Sequence, residues 1–387
     1  MRRAVRVFLR VLAVVAVLAA GFAVVKRDDL IRLRAAMALF DENRIVQNFS
    51  HMDRLFHARV LDRGTGPVSD LPQGSPMVLA PEVTDWVQAR AVTALVILRD
   101  GQLVHESYHL GTGPEDLRIS WSMAKSVLSA LFGILHEDGT LPDLEAQVVD
   151  YAPLLKGSAY EGAALRDVLT MSSGVGFDED YMDFSSDINR MGRVLALGGS
   201  MDRFAASLTT RAHPPGSHMQ YVSIDTHVLG MVIAGATGRD PVDLMVERII
   251  QPMGLEASPE MLTDGEGTGF VLGGLNMRTR DYARIGQMVL QNGFWNGRQI
   301  VPADWVAAST SHQAADGAGY GFQWWVPKDH AQFGDDFMAQ GIYGQFIYVN
   351  PGAQTVIAVN AADRGFDAAG VTDENLALFR RMAQAGH

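Results

Sequence analysis

The stretch from residue 126 to 135 constrains this chain more than any other, because Val127, Leu128, Leu131, Phe132, Ile134 and Leu135 leave a helix apolar almost all round. A helix of that kind should be buried. Asp138-Gly139 and then Pro142 would stop it. At its start stand Ser122 and Lys125. Residues three apart on a helix face the same way, with Cβ atoms about 5–6 Å apart, so the amine can reach the hydroxyl. Burial and the positive helix N-terminus both disfavour an ammonium. A lysine kept neutral in this way can take a proton from serine, which makes Ser122 a candidate nucleophile and Lys125 its base. The alternative reading of the same residues is a capping serine beside a solvated lysine. Composition weighs against it: of the four lysines, Lys26, Lys125, Lys156 and Lys328, only Lys125 falls in an apolar helix, where a lysine needs a reason.

At 387 residues, 48% of them hydrophobic, the chain can hold one large domain or two that share a core. Its 32 basic and 44 acidic residues give a formal charge of −12, which argues against nucleic acid as a partner, since sequence-independent binding needs a basic surface. There is no cysteine, so disulfides, thiolate metal sites and cysteine nucleophiles are excluded.

Residues 1–27 form a separate segment. Arg2, Arg3, Arg6 and Arg10 precede an uncharged apolar run over 11–25, closed by Lys26-Arg27-Asp28-Asp29. The pattern is that of an export signal or an N-terminal membrane anchor. The run is short for a full span, which takes about 20 residues, and it offers only a weak cleavage site, so both readings stand. In either case the arginines favour staying inside, and the rest of the chain crosses the membrane.

Residues 28–82 read as a lead-in helix, over 30–48, followed by an irregular Gly- and Pro-rich connection over 62–82, and a domain over 83–387 follows. The runs 93–99 and 102–110 are strand-like and joined at Asp100-Gly101, a hairpin signal. Strands return near the C-terminus, over 321–326, 345–350 and 355–360, with a turn at Asn350-Pro351-Gly352. The chain between reads as mainly helical, with Asp240-Pro241 as cap and first helical residue and Asn292-Gly293 as a stop. The order predicts an α+β fold. An antiparallel sheet made from N- and C-terminal strands would be flanked by helices, including a final one over 373–385, with a mainly helical region inserted. The candidate site would lie between the two regions.

Several segments together resemble one family, the serine hydrolases of the class C β-lactamase and penicillin-binding (transpeptidase-like) fold. Ser122-Met123-Ala124-Lys125 looks like its nucleophile motif, and Tyr221-Val222-Ser223 resembles its second motif, tyrosine followed two residues later by asparagine or serine. Segments 169–174, 177–181, 226–230, 280–284 and 341–345 are similar to the branch that contains 6-aminohexanoate-dimer hydrolases and esterases. The resemblance runs from about residue 40 to the end of the chain. It implies a hydrolase of small ester or amide substrates that works through an acyl-serine, with no metal and no organic cofactor. Ser122 would be the nucleophile, Lys125 the base and Tyr221 the group that relays a proton to the leaving group. The backbone N–H groups of Ser122 and Ile342 would form the oxyanion hole, and Tyr181, Gly341 and Ser223 would adjoin the substrate. For Tyr181 a packing role is the alternative, for Tyr221 a structural aromatic at a helix entry, and Glu179 reads as a solvated or capping carboxylate. Tyr348-Val349-Asn350 repeats the second motif's pattern, but inside a strand.

The family's third motif, lysine or histidine, then threonine or serine, then glycine, falls on Ala339-Gln340-Gly341. The cation and the hydroxyl that would hold a substrate carboxylate are absent, which points away from β-lactams and cell-wall peptides. Other readings are a low-activity β-lactamase or D,D-peptidase, and an inactive, membrane-tethered binding protein. An intact Ser122, Lys125 and Tyr221 argues against the last. A rival pattern, His105-Glu106-Ser107-Tyr108-His109, matches a zinc-peptidase motif only if it is helical. In a strand the histidines would stand roughly 13 Å apart at about 3.3 Å per residue, too far to share a metal.

Overall fold

The computed structural model describes residues 5–13, 21 and 27–385, so the reading of 11–25 as an export signal or anchor lies largely outside the described residues. Among the described residues no helix is long and apolar enough to cross a membrane.

Five antiparallel strands form the main sheet, in the order Gln102–Tyr108, Val92–Arg99, Thr355–Ala361, Gln345–Asn350 and Phe337–Gly341. N-terminal and C-terminal strands pair through Val92–Arg99 and Thr355–Ala361. The expected hairpin is present: Asp100 (φ 50°) and Gly101 (φ 75°) both take positive φ, as a type I′ turn requires. Both faces of this sheet are buried, and the side chains divide by the period of two. Leu95, Ile97, Phe346, Tyr348, Ile357 and Val359 pack against Phe379 and Met382 of the final helix, Val371–Gln384, and against Val83 of the helix Pro81–Ala89. Their neighbours Val96, Leu98, Ile347, Val349, Val356 and Ala358 join the larger core with the helix Met123–Glu137, headed by the candidate nucleophile Ser122, and the helix Thr279–Leu290. Gly286 lets the latter helix lie close to the sheet, because a Cβ there would fall 2.6 Å from Val356 and 2.7 Å from Ile347.

Two departures from the sequence reading matter. A second antiparallel sheet takes three strands, Arg118–Ile119, Glu260–Thr263 and Leu275–Met277, from the region read as mainly helical and a fourth, His57–Val60, from the lead-in segment. Its strands are too short to show a periodicity, and the pairings of His57–Val60 with Glu260–Thr263 and of Arg118–Ile119 with Leu275–Met277 join segments far apart in sequence. Conversely, residues 321–326 make only isolated bridges, Tyr320 with Trp325 and Trp325 with Met338. Gln323 breaks the extended run with φ 63°, and its buried amide donates to the Val168 and Leu169 carbonyls while accepting from Thr226.

The segment 28–82 does more than connect. It contains the helices Arg27–Met37 and Ile45–Asn48, and its Phe49, Met52, Leu55, Phe56 and Leu61 sit in the main core. Gly74 N–H donates to the Leu103 carbonyl and Met77 N–H to that of Val104, which covers the edge of the strand Gln102–Tyr108. The inserted region is built around the helix Ser223–Thr237, packed against the shorter helices Met201–Ala206 and Leu165–Leu169.

Candidate active site

The short strand Arg118–Ile119 delivers the chain to the helix Met123–Glu137. Ser120 N–H donates to the Leu275 carbonyl at 2.7 Å, and Trp121 then takes φ 42°, a left-handed conformation that a bulky side chain adopts only at a cost. That residue turns the chain, and Ser122 follows at the head of the helix. Ser122 caps no N–H with its side chain. Its Oγ instead accepts from Lys125 Nζ at 3.0 Å, and Nζ donates also to the Leu272 carbonyl at 2.8 Å. Lys125 is 1% exposed, so the reading of a capping serine beside a solvated lysine is overturned. Burial lowers the Lys125 pKa to about 7 against the opposing pull of the Glu179 and Asp225 carboxylates.

Tyr221 lies in the loop before the helix Ser223–Thr237. Its ring stacks on Trp325 with centroids 5.5 Å apart and stands edge-on to Tyr320. Lys125 Nζ is 5.5 Å from the Tyr221 ring centroid. Burial pushes the Tyr221 phenol above its ordinary value and Glu179 adds to this, while the nearby Ser122 and Ser223 hydroxyls act against it. The phenol is therefore neutral near neutral pH and can donate. Ser122, Lys125, Tyr221 and Ser223 are thus brought together.

Glu179 is not the solvated group expected of it. One carboxylate oxygen accepts from Ser223 N–H and the other from the Tyr181 hydroxyl at 3.0 Å, and burial raises its pKa. The capping part of the reading holds, since Ser223 opens its helix. Below lies Asp225, fully buried, whose Oδ1 accepts from Tyr160 at 2.7 Å and Ser173 at 3.0 Å. Burial pushes its carboxyl up to about 8. The sequence reading missed Asp225, although an acid inside the apolar run 222–233 was a signal. It missed the Leu272 carbonyl as well, which no side-chain pattern could announce.

The edge strand Phe337–Gly341 closes the other side. A Cβ on Gly341 would fall 2.5 Å from the Ser120 carbonyl oxygen and 3.1 Å from Ser122 N, so only glycine lets the strand end lie against the nucleophile turn. Gly341 therefore serves close backbone approach, and Ile342 is the next residue along the chain. Among the described residues, the N–H groups of Ser122 and Ile342 donate to no carbonyl in the turns that carry them, and both residues are half-buried. Two free N–H groups beside a hydroxyl can hold a developing oxyanion.

The rival motif is extended, as expected, but its rings are closer than strand spacing suggested. His105 Nε2 and His109 Nε2 each lie 3.0 Å from the same Ser107 Oγ, while Glu106 is paired with Arg280 on the other face. No group of three potential metal-ligating side chains occurs among the described residues.

The family model described as Beta-lactamase matches residues 83–379. The chain belongs to the beta-lactamase family. This is a family of serine-type hydrolases, and its α+β fold is the one described above. A 6-aminohexanoate-dimer hydrolase of Paenarthrobacter ureafaciens is 27% identical over 294 residues, covering 72% of this chain and 74% of that protein. Among solved structures, a Bacillus anthracis protein assigned as a 6-aminohexanoate-dimer hydrolase superposes with a TM-score of 0.80 at 23% identity, over 89% of this chain and 95% of the other. EstCE1, a hydrolase with promiscuous acyltransferase activity, superposes with a TM-score of 0.59 at 15% identity, over 78% and 96% of the two chains.

Proposed function

We propose that this beta-lactamase-family protein is an exported serine hydrolase that cleaves small esters or amides through an acyl-Ser122 intermediate. One observation carries the reading: a buried lysine amine, held near pKa 7, sits 3.0 Å from the hydroxyl of Ser122. Ser122 Oγ attacks the substrate carbonyl as its proton passes to Lys125. The carbonyl oxygen, now an oxyanion, lies against the N–H groups of Ser122 and Ile342, where each such donor is worth about 2.7–4 kcal/mol. Tyr221, kept neutral by burial and set beside Ser122 and Lys125, relays the proton to the departing oxygen or nitrogen. Water then attacks the acyl-serine with the same groups acting in reverse. Labelling with a serine-reactive fluorophosphonate and peptide mapping tests this directly. The adduct is expected on Ser122, and Ser122→Ala is expected to lose both label and turnover while remaining folded. An adduct on Ser173 or Ser223 would overturn the assignment.

The substrate lacks a carboxylate next to the scissile bond, because Ala339-Gln340-Gly341 offers neither a cation nor a hydroxyl to receive it. The relative from Paenarthrobacter ureafaciens supports an amide arm and EstCE1 a hydrolase of broader habit. A short-chain p-nitrophenyl ester is expected to outrank a cephalosporin and a D-alanyl peptide in kcat/KM, and preference for the cephalosporin would reverse the substrate argument. Export rests on Arg2, Arg3, Arg6 and Arg10 ahead of the apolar run 11–25. Fusing residues 1–27 to a reporter active only outside the cytoplasm tests it, and an inactive reporter would refute it.

A further inference from the structure

The family match begins at residue 83, yet one ring that frames the nucleophile comes from before it. Phe40, in the turn after the helix Arg27–Met37, stacks on Tyr343 with centroids 4.7 Å apart and planes 13° apart, and lies 6.0 Å from Trp121. Trp121 immediately precedes Ser122, and Tyr343 immediately follows Ile342. The two residues beside the free N–H groups are therefore bridged by a side chain of the lead-in segment. The arc continues: Phe366 lies 4.6 Å from Tyr343, and Tyr181 lies 5.9 Å from Phe366. Phe49, fully buried, backs Trp121 and Tyr343 edge-on.

Phe49 is the fully buried member of this group, whereas Trp121, Tyr343 and Tyr181 pack against the main core with one part of the ring and leave another part uncovered. Trp121, Tyr343, Phe366 and Tyr181 are only half-buried and Phe40 is 38% exposed. Aromatic surface left in water beside reactive groups forgoes about 25 cal/mol for each Å² that could be covered, so an apolar part of a bound substrate gains by covering it. Tyr221, stacked on Trp325, adjoins the arc only at its far end, Tyr181, and makes no ring contact with Phe40, Tyr343 or Phe366. The arc instead flanks the two N–H groups that would hold the carbonyl oxygen. Resting on the acyl-serine reading above, we propose that Phe40, Tyr343 and Phe366 form a recognition wall for a flat apolar group, such as an aryl ring, carried on the acyl side of the substrate. The lead-in segment is then part of the substrate site through Phe40.

The test uses the full chain and two p-nitrophenyl esters that share a leaving group, acetate and 3-phenylpropanoate. Phe40→Ala is expected to lower the ratio of kcat/KM for phenylpropanoate over acetate about fivefold to tenfold, mainly through KM, in keeping with the worth of an aromatic contact. Phe366→Ala, at a ring that is already half-exposed, is expected to act in the same direction and keeps the question answerable if Phe40→Ala unfolds. Phe40→Leu is expected to restore part of the ratio. Equal losses on both esters in proteins whose Ser122 still takes up fluorophosphonate would reduce the wall to a structural role and overturn the proposal. A loss that follows the size of the leaving group in a series of acetates would also overturn it, by moving the wall to the other side of the scissile bond. Absence of label at Ser122 in the unaltered protein would instead strike the acyl-serine reading.

Discussion

Ser122 stands between two regions that invert the usual placement of polar and apolar groups. On its inner side Lys125, Asp225, Tyr160 and Ser173 are polar and almost entirely out of water, and on its outer side Trp121, Tyr343, Phe366 and Phe40 are apolar and partly in it. On the proposed mechanism the inner region uses dryness as a reagent: without burial Lys125 would remain an ammonium and could accept nothing. The outer region keeps rings uncovered so that something else can cover them. Damage to the first should appear in the catalytic rate and its pH dependence, and damage to the second in KM and in the ranking of substrates.

The largest expected effect tests whether the inner groups act as one unit. Lys125→Ala and Tyr221→Phe are each expected to lower kcat about 10²–10⁴-fold, the range of general acid–base contributions, and the double variant to add little. Fully additive losses would show that the two groups act independently. Next in size is Gly341→Ala, which strikes the seam between the regions. Its Cβ would meet the Ser120 carbonyl at 2.5 Å, so the strand must shift and carry Ile342 N–H with it. The expected loss approaches that of one oxyanion donor, about 10²-fold in kcat, with about 1–3 kcal/mol of stability lost to overpacking. Unchanged kcat and an unchanged melting temperature would mean that the close approach is not needed.

A smaller effect concerns pH. Lys125 must be neutral to accept a proton, so kcat/KM is expected to rise with pH along an acid limb near pH 7. Glu179 is the larger of the two negative influences that favour the ammonium, so Glu179→Gln should lower the Lys125 pKa and move the limb to lower pH. Glutamine keeps an acceptor for Ser223 N–H. A limb that stays in place or moves upward would detach Glu179 from the base. The smallest expected effect is that of chelation: EDTA should leave kcat/KM unchanged, since His105 and His109 meet only across Ser107. Loss of activity together with stoichiometric zinc would break the reading.

The sheet hairpin was legible because its signal is local. Asp100-Gly101 is a turn that two adjacent residues specify, and the flanking strands follow from it. The juxtaposition of Ser122 and Lys125 was legible for the same reason, one helical turn being a local geometry. The strands Glu260–Thr263 and Leu275–Met277 were not, because they exist only through their pairing with each other, with His57–Val60 and with Arg118–Ile119. Residues 321–326 misled in the opposite sense: their aromatic, β-branched composition suits a strand, but the buried Gln323 amide fixes the backbone to the inserted region instead. Glu179 and Asp225 acquired their importance from a lysine far from them in sequence, and Gly341 from a carbonyl at residue 120.

The nucleophile turn also sets a time at which activity can begin. Arg118 pairs with Met277, and the strand that ends at Gly341 must then arrive against Ser120 and Ser122. Contacts so distant in sequence close late, after the loops between them have been ordered. A chain emerging from the ribosome carries Ser122 and Lys125 early but lacks both the strand that fixes the turn and the N–H of Ile342. On the proposed mechanism the nascent chain is therefore expected to stay inert until the strand that ends at Gly341 has been made and folded against residues 120–122.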